Sequence, residues 1–208
     1  MEEYRTVLRE AEDEFTERRS RFIGRAKPVR TQREAEAFLH SVREANRGAT
    51  HCVLAYVLRS GGLRHCSDDG EPQGTAGTPV LDVLLRSGLT DAAVTVTRYF
   101  GGILLGAGGL VRAYSHGAAL ALAAAGTVAM GACFQAELTC SYANYGKIPT
   151  LIAEHGGTVD DASFAETVAV RFHLPCENAE HFRAALADAT RGSCTARFAA
   201  KNFYPVFS

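Results

Sequence analysis

The chain lacks an excess of either charge. Lys plus Arg total 22 and Asp plus Glu 23 among 208 residues, a formal net charge of −1. That excludes a binder that holds nucleic acid through bulk positive charge, although a local basic stripe is still allowed. No C-x-x-C pair occurs, and six cysteines (Cys52, Cys66, Cys133, Cys140, Cys176 and Cys194) are too sparse for a disulfide scaffold. Met1-Glu2-Glu3-Tyr4-Arg5 has no apolar signal core, so a cytoplasmic protein with reduced thiols is expected. Neither G-x-S-x-G nor H-E-x-x-H is present. Nor is there a convincing membrane span. Ala113 to Ala136 contains no Asp, Glu, Lys or Arg, but it is mostly Ala and Gly and carries Ser115, His116, Thr127 and Gln135. A spanning helix needs about 20 mainly strong apolar residues. A buried Ala-rich helix followed by a strand fits better. What is present is enough apolar material, 47%, to exclude a disordered tail protein, on a length suited to one large domain or two small ones.

Residues 4–30 read as extended. Thr31-Gln32-Arg33-Glu34 is a capping box, and Ala35, Phe38, Leu39 and Val42 behind it fall on one helical face that ends near Asn46-Arg47-Gly48. Cys52 to Leu58 is almost continuously apolar, as in a strand covered on both faces. A polar, Gly-rich stretch follows from Ser60 to Gly77. Thr78-Pro79 opens a short helix through Leu85, Ala93 to Tyr99 is a strand, and a helix runs from about Gly108 to Ala125, stopped by Gly126-Thr127. The second half reads strand (134–142), helix (from Ile148), two strands (157–162 and 167–174), helix (180–189) and strand (193–200). That β-α-β-β-α-β order is the ferredoxin-like pattern. The expected class is α+β with two domains, 1–128 and 129–208.

Three stretches can carry chemistry. Arg18 to Arg30 holds six cations and no anion. On a strand, Arg19, Arg21, Arg25 and Lys27 would share a face and suit a polyanion; the alternative is a charged edge strand that pairs with the acids at 10–17. Ser67-Asp68-Asp69-Gly70-Glu71-Pro72-Gln73-Gly74-Thr75 places three carboxylates among turn formers. Asp68, Asp69 and Glu71 could hold a hard cation such as Mg²⁺, or instead cap backbone amides around an Asp69-Gly70 turn. Gly101 to Leu110 is a glycine-rich entry to a helix. Ala107 stands where a phosphate P-loop needs Lys, and Val111 breaks the dinucleotide pattern. What remains is a helix start, at Gly108 and Gly109, whose amides could meet an anion between Arg98 and Arg112, or glycines that permit close packing. His51-Cys52 and His65-Cys66 can each offer at most one ligand to a given site, so they make a poor zinc pattern.

Ser20-Arg21-Phe22, His51-Cys52, the Ser67–Gly77 motif and Arg98-Tyr99-Phe100-Gly101-Gly102 through Tyr114 come in an order that resembles the IMPACT family, in particular its bacterial YigZ-type members. The likeness is strong over about 20–114 and one of layout over 133–200. The second His-Cys pair lies outside the family's pattern. The resemblance implies a first domain like domain 2 of ribosomal protein S5 and a second, ferredoxin-like domain as in elongation factor G. Eukaryotic relatives restrain a starvation-sensing initiation-factor kinase through an extra N-terminal domain. A chain of this length has no room for that domain, so the kinase role is not expected to carry over. For bacterial members the resemblance implies nucleic-acid or ribosome association.

The leading expectation is a non-enzymatic regulator of translation or stress response. It would bind RNA or the ribosome through Arg19, Arg21, Arg25 and Lys27 and the glycine-rich helix start, with a translation-regulatory protein as a further partner and no cofactor. The alternatives are a small metal-dependent enzyme acting on a phosphorylated substrate and a protein-interaction module.

Overall fold

The computed structural model describes residues 3–206. The chain divides into two compact units, one spanning Tyr4–Ala129 and the other formed from Met130 onward. Both are mixed α and β.

The first unit contains β1 (Glu3–Val7), β2 (Ala11–Glu17), β3 (Ser20–Pro28), α1 (Gln32–Ala45), β4 (His51–Val57), β5 (Arg64–Ser67), α2 (Gly77–Arg86), β6 (Ala92–Tyr99) and α3 (Ala107–Ala125). Its sheet runs β2-β3-β6-β4-β5, antiparallel throughout. Alternation along β4 explains why its sequence is apolar on both faces. Val53, Ala55 and Val57 join the core with α2 and α3, while Cys52, Leu54, Tyr56 and Leu58 pack with Phe38 and Val42 of α1. Thr31 caps α1 by accepting from the Glu34 amide, but Glu34 reaches back to the Arg30 amide, one residue beyond a strict capping box. Helix α3 buries Leu110, Ala113, Tyr114, Gly117, Ala118, Ala121, Leu122 and Ala125, and the small residues among them let it sit close against the sheet. Gly24 is where it comes closest: a Cβ there would stand 2.0 Å from the Gly117 carbonyl oxygen.

Two sequence expectations change here. The extended stretch at 4–30 is three strands, and β2 and β3 form a hairpin turning at Arg18-Arg19. The polar stretch at 60–77 contains β5, a short edge strand whose polar side chains hid its character.

The second unit contains β7 (Thr127–Cys140), α4 (Tyr142–Tyr145), α5 (Ile148–Glu154), β8 (Thr158–Phe164), β9 (Val168–Pro175), α6 (Ala179–Thr190) and β10 (Ala196–Val206). The order β8-β9-β7-β10, with helices between, is the ferredoxin-like βαββαβ arrangement. Phe172, Phe182, Ile148, Ile152, Leu174 and Leu186 fill its core. Strand β7 begins seven residues earlier than the sequence indicated, directly after Gly126. Among the described residues no helix is long and apolar enough to cross a membrane.

Candidate functional site

The acidic loop folds around its own backbone. Asp69 and Gly70 both have positive φ, 46° and 86°, and the Glu71 amide bonds the Asp68 carbonyl at 3.0 Å, a tight turn that reverses the chain after β5. Asp68 accepts from the amides of Gly74, Ala76 and Gly77 at 2.8, 3.1 and 2.7 Å, closing the loop over the start of α2. Burial pushes its carboxyl upward, but these three donors outweigh that and hold it below the usual value. Asp69 accepts from the Cys52 amide at 2.6 Å and pairs with Arg43. Ser67 Oγ takes the Asp69 amide and the Thr75 hydroxyl donates to the Pro72 carbonyl. Gly74 needs its positive φ of 76°.

Glu71 is turned inward. Its side chain is 3% exposed, and its Oε1 accepts from Arg98 Nη1 and from the Tyr114 hydroxyl, both at 2.7 Å. Arg98 is 5% exposed and Tyr114 fully buried. The guanidinium lies near the rings of Phe22 and Phe100, and Nη2 reaches Ser20 Oγ at 3.5 Å. The Arg98 Nε is buried with no acceptor among the described residues. His51 stands beside them. Its Nδ1 donates to the Asp69 carbonyl at 2.8 Å, which leaves Nε2 facing Glu71 Oε1 at 3.8 Å. Burial first, and then Glu71, drives the Tyr114 phenol far above its ordinary pKa, so it stays a donor.

The acidic and glycine-rich motifs therefore meet. A hollow of about 420 Å³ is lined by His51, Glu71 and Pro72 on one side, Leu104, Gly106 and Leu110 on the other, and Arg98. The metal reading does not survive. The three carboxylates serve amides, Arg43 and Arg98 in separate places, and no group of three or more His, Cys, Asp or Glu among the described residues could hold a metal ion. Arg98 is a structural cation rather than an exposed clamp.

The basic strand is also corrected. Arg21, Arg25 and Lys27 share a face of β3, but Arg21 pairs with Glu14 at 2.5 Å and Arg25 with Glu12, both on the neighbouring β2, and Lys27 pairs at 2.8 Å with Glu10 just before it. Arg19 is not on the strand. It and Arg18 occupy the two central positions of the β2–β3 turn with φ of 65° and 46°. That is a type I′ geometry, which Asn-Gly adopts freely and arginine does not. The hairpin tip rests on the glycine motif: Arg18 Nη1 donates to the Leu104 carbonyl at 3.3 Å, and the Gly101 amide donates to Ser20 Oγ at 3.2 Å. A Cβ on Gly101 would fall 2.0 Å from the Arg19 carbonyl oxygen.

Beside this contact lies a groove of about 390 Å³, bounded by Phe15, Glu17, Arg18, Gly109, Arg112 and His116. Among the described residues no acid lies within 4.0 Å of the cationic groups of Arg18, Arg19 or Arg112, unlike the strand cations. Helix α3 starts at Ala107 behind Gly106 with no side-chain cap, so the first-turn amides, including Gly108 and Gly109, have no intrahelical acceptor. Leu104, in the glycine-rich motif before the helix, is 78% exposed. Tyr114 and Arg18 were missed in the sequence. Tyr114 sits in the helical stripe like any core residue, and a turn of two arginines carries no turn signature.

Residues 18–122 match the description "Impact N-terminal domain", and residues 138–193 match "Domain of unknown function (DUF1949)". The chain belongs to the IMPACT family. IMPACT family member YvyE of Bacillus subtilis is 34% identical over 91% of this chain and 88% of its own length. IMPACT family member YigZ of Escherichia coli is 37% identical over 85% and 88%. Protein IMPACT-A of Xenopus tropicalis is 34% identical over 44% of this chain and 30% of its own. A solved structure described as that of a hypothetical protein superposes with a TM-score of 0.63 at 33% identity, covering 96% of this chain and 98% of that one. The Impact N-terminal domain is thus the unit that holds both motifs.

Proposed function

We propose that this chain is a non-enzymatic regulator of translation or stress response that binds RNA, free or within the ribosome, at the β2–β3 hairpin tip and the start of α3. The observation that carries the reading is the contrast between two sets of cations. Those along β3 are neutralised by Glu10, Glu12 and Glu14, whereas Arg18, Arg19 and Arg112 have no acidic partner among the described residues and border an uncapped helix start. Backbone strain supports it. A left-handed conformation costs a non-glycine residue roughly 1–2 kcal/mol, and two adjacent arginines bear it here. Such strain persists where the side chains are needed at that place. Phosphates would sit against the guanidinium groups and first-turn amides.

The test is fluorescence anisotropy with a labelled RNA hairpin, and co-sedimentation with ribosomes, for the full chain and two variants. Arg18→Glu/Arg112→Glu should abolish binding in both assays. Arg21→Gln should bind within about twofold of the parent. Retained binding by the first variant, or equal losses from both, contradicts the assignment.

A further inference from the structure

The hollow between the acidic and glycine motifs adjoins the groove that the RNA reading uses and shares the α3 start with it, and it has the makings of a small-molecule site. Its volume of about 420 Å³ lies in the range of roughly 300–1,000 Å³ typical of such sites. Its walls are mainly apolar, from Pro72, Phe100, Leu104, Leu105 and Leu110. Two independent features supply polar recognition. Gly106 and Ala107 line it at the uncapped end of a 19-residue helix, where the amides have no intrahelical acceptor and the dipole favours an anion. Arg98 lines it as well. This guanidinium is 95% buried and its Nε has no acceptor, although buried polar groups are nearly always bonded. Glu71 does not repel a ligand as a free carboxylate would, because Arg98 and Tyr114 already hold it. The His51 Nε2, whose ring is fixed through Nδ1, adds a polar atom at the edge.

We infer that this hollow binds a phosphate monoester attached to a flat or apolar body, with the phosphate at the α3 start beside Arg98 and the body against Phe100, Pro72 and Leu104. A nucleoside monophosphate has that chemistry. The arginines that carry the RNA reading, Arg18, Arg19 and Arg112, are not required, so the double-arginine variant tells the two readings apart although both place a phosphate at the α3 start.

The experiment is an NMR amide titration of the full chain with adenosine 5′-monophosphate, inorganic phosphate and adenosine. The monophosphate should move the amides of Gly70, Gly106, Ala107 and Gly108 in a saturable way. Inorganic phosphate should move the same amides more weakly, and adenosine should leave them in place. Ala107→Glu puts a carboxylate at an exposed first-turn position that acidic residues favour in helices, so the fold should hold while affinity for the monophosphate falls at least tenfold. Arg18→Glu/Arg112→Glu should keep monophosphate affinity within about threefold. The inference is overturned if the monophosphate moves none of these amides, if adenosine moves them equally, if Ala107→Glu binds as the parent does, or if the double arginine variant loses the monophosphate.

Discussion

Removing the Glu71 carboxylate should be among the most damaging single changes in the first unit. Glu71→Leu leaves the Arg98 guanidinium 5% exposed with no anion and the Tyr114 hydroxyl with no acceptor. Breaking a buried pair from one side costs about 3–5 kcal/mol, because the surviving charge remains desolvated. Each kcal/mol shifts the melting midpoint of a protein this size by about 2–4 °C, so the drop should be about 6–20 °C. The double variant Glu71→Leu/Arg98→Met replaces both charges with apolar groups of similar volume and should recover much of the loss. Tyr114→Phe removes one bond to a charged acceptor and should cost about 1.5–3 kcal/mol. Urea unfolding followed by circular dichroism measures the parent, these three variants and the single variant Arg98→Met, with an unchanged slope expected in each. A Glu71→Leu cost below about 1 kcal/mol, or a double variant as weak as the sum of its singles, would refute the view that this pair is desolvated.

Gly101→Ala should destabilise the first unit by several kcal/mol, since its Cβ would sit 2.0 Å from the Arg19 carbonyl oxygen; a melting midpoint within 1–2 °C of the parent, roughly ±0.5 kcal/mol, would contradict that packing. Asp68 has its folded pKa held down, so its contribution is complete above the unfolded value near 3.9 and is lost as pH falls through the folded value. Asp68→Asn should therefore lower stability at neutral pH by about 0.5–2 kcal/mol and flatten the fall of stability below about pH 4, read from urea midpoints across pH. Arg18→Asn/Arg19→Gly matches the residues to the turn type and should raise the melting midpoint while weakening RNA binding; a variant that loses stability would show that the turn is not strained.

Much of the fold was legible because periodicity reports burial. The continuous apolar run Cys52–Leu58 indicated a strand covered on both faces, and the spacing of Ala35, Phe38 and Val42 indicated one buried helical face. The β-α-β-β-α-β rhythm of the second half did the same. Strand β5 was hidden because an edge strand with His65 and Ser67 has little to bury. At the site, the two unusual motifs did prove to be neighbours, but their roles depend on long-range partners that local sequence does not encode. Arg98 reads as a clamp until Glu71, 27 positions away, is seen holding it. The basic strand reads as an anion surface until register sets Arg21 and Arg25 beside Glu14 and Glu12.

The most direct measurement of the central claim is the dependence of RNA affinity on salt. Each duplex phosphate neutralised contributes about 0.9 to the slope of log affinity against log salt, and each single-strand phosphate about 0.7. Changing Arg18, Arg19 and Arg112 together to Gln should reduce that slope by about 2–3, while changing Arg21 and Arg25 to Gln should reduce it by less than about 1. Equal slopes for the parent and the first variant would place the phosphates elsewhere on the molecule.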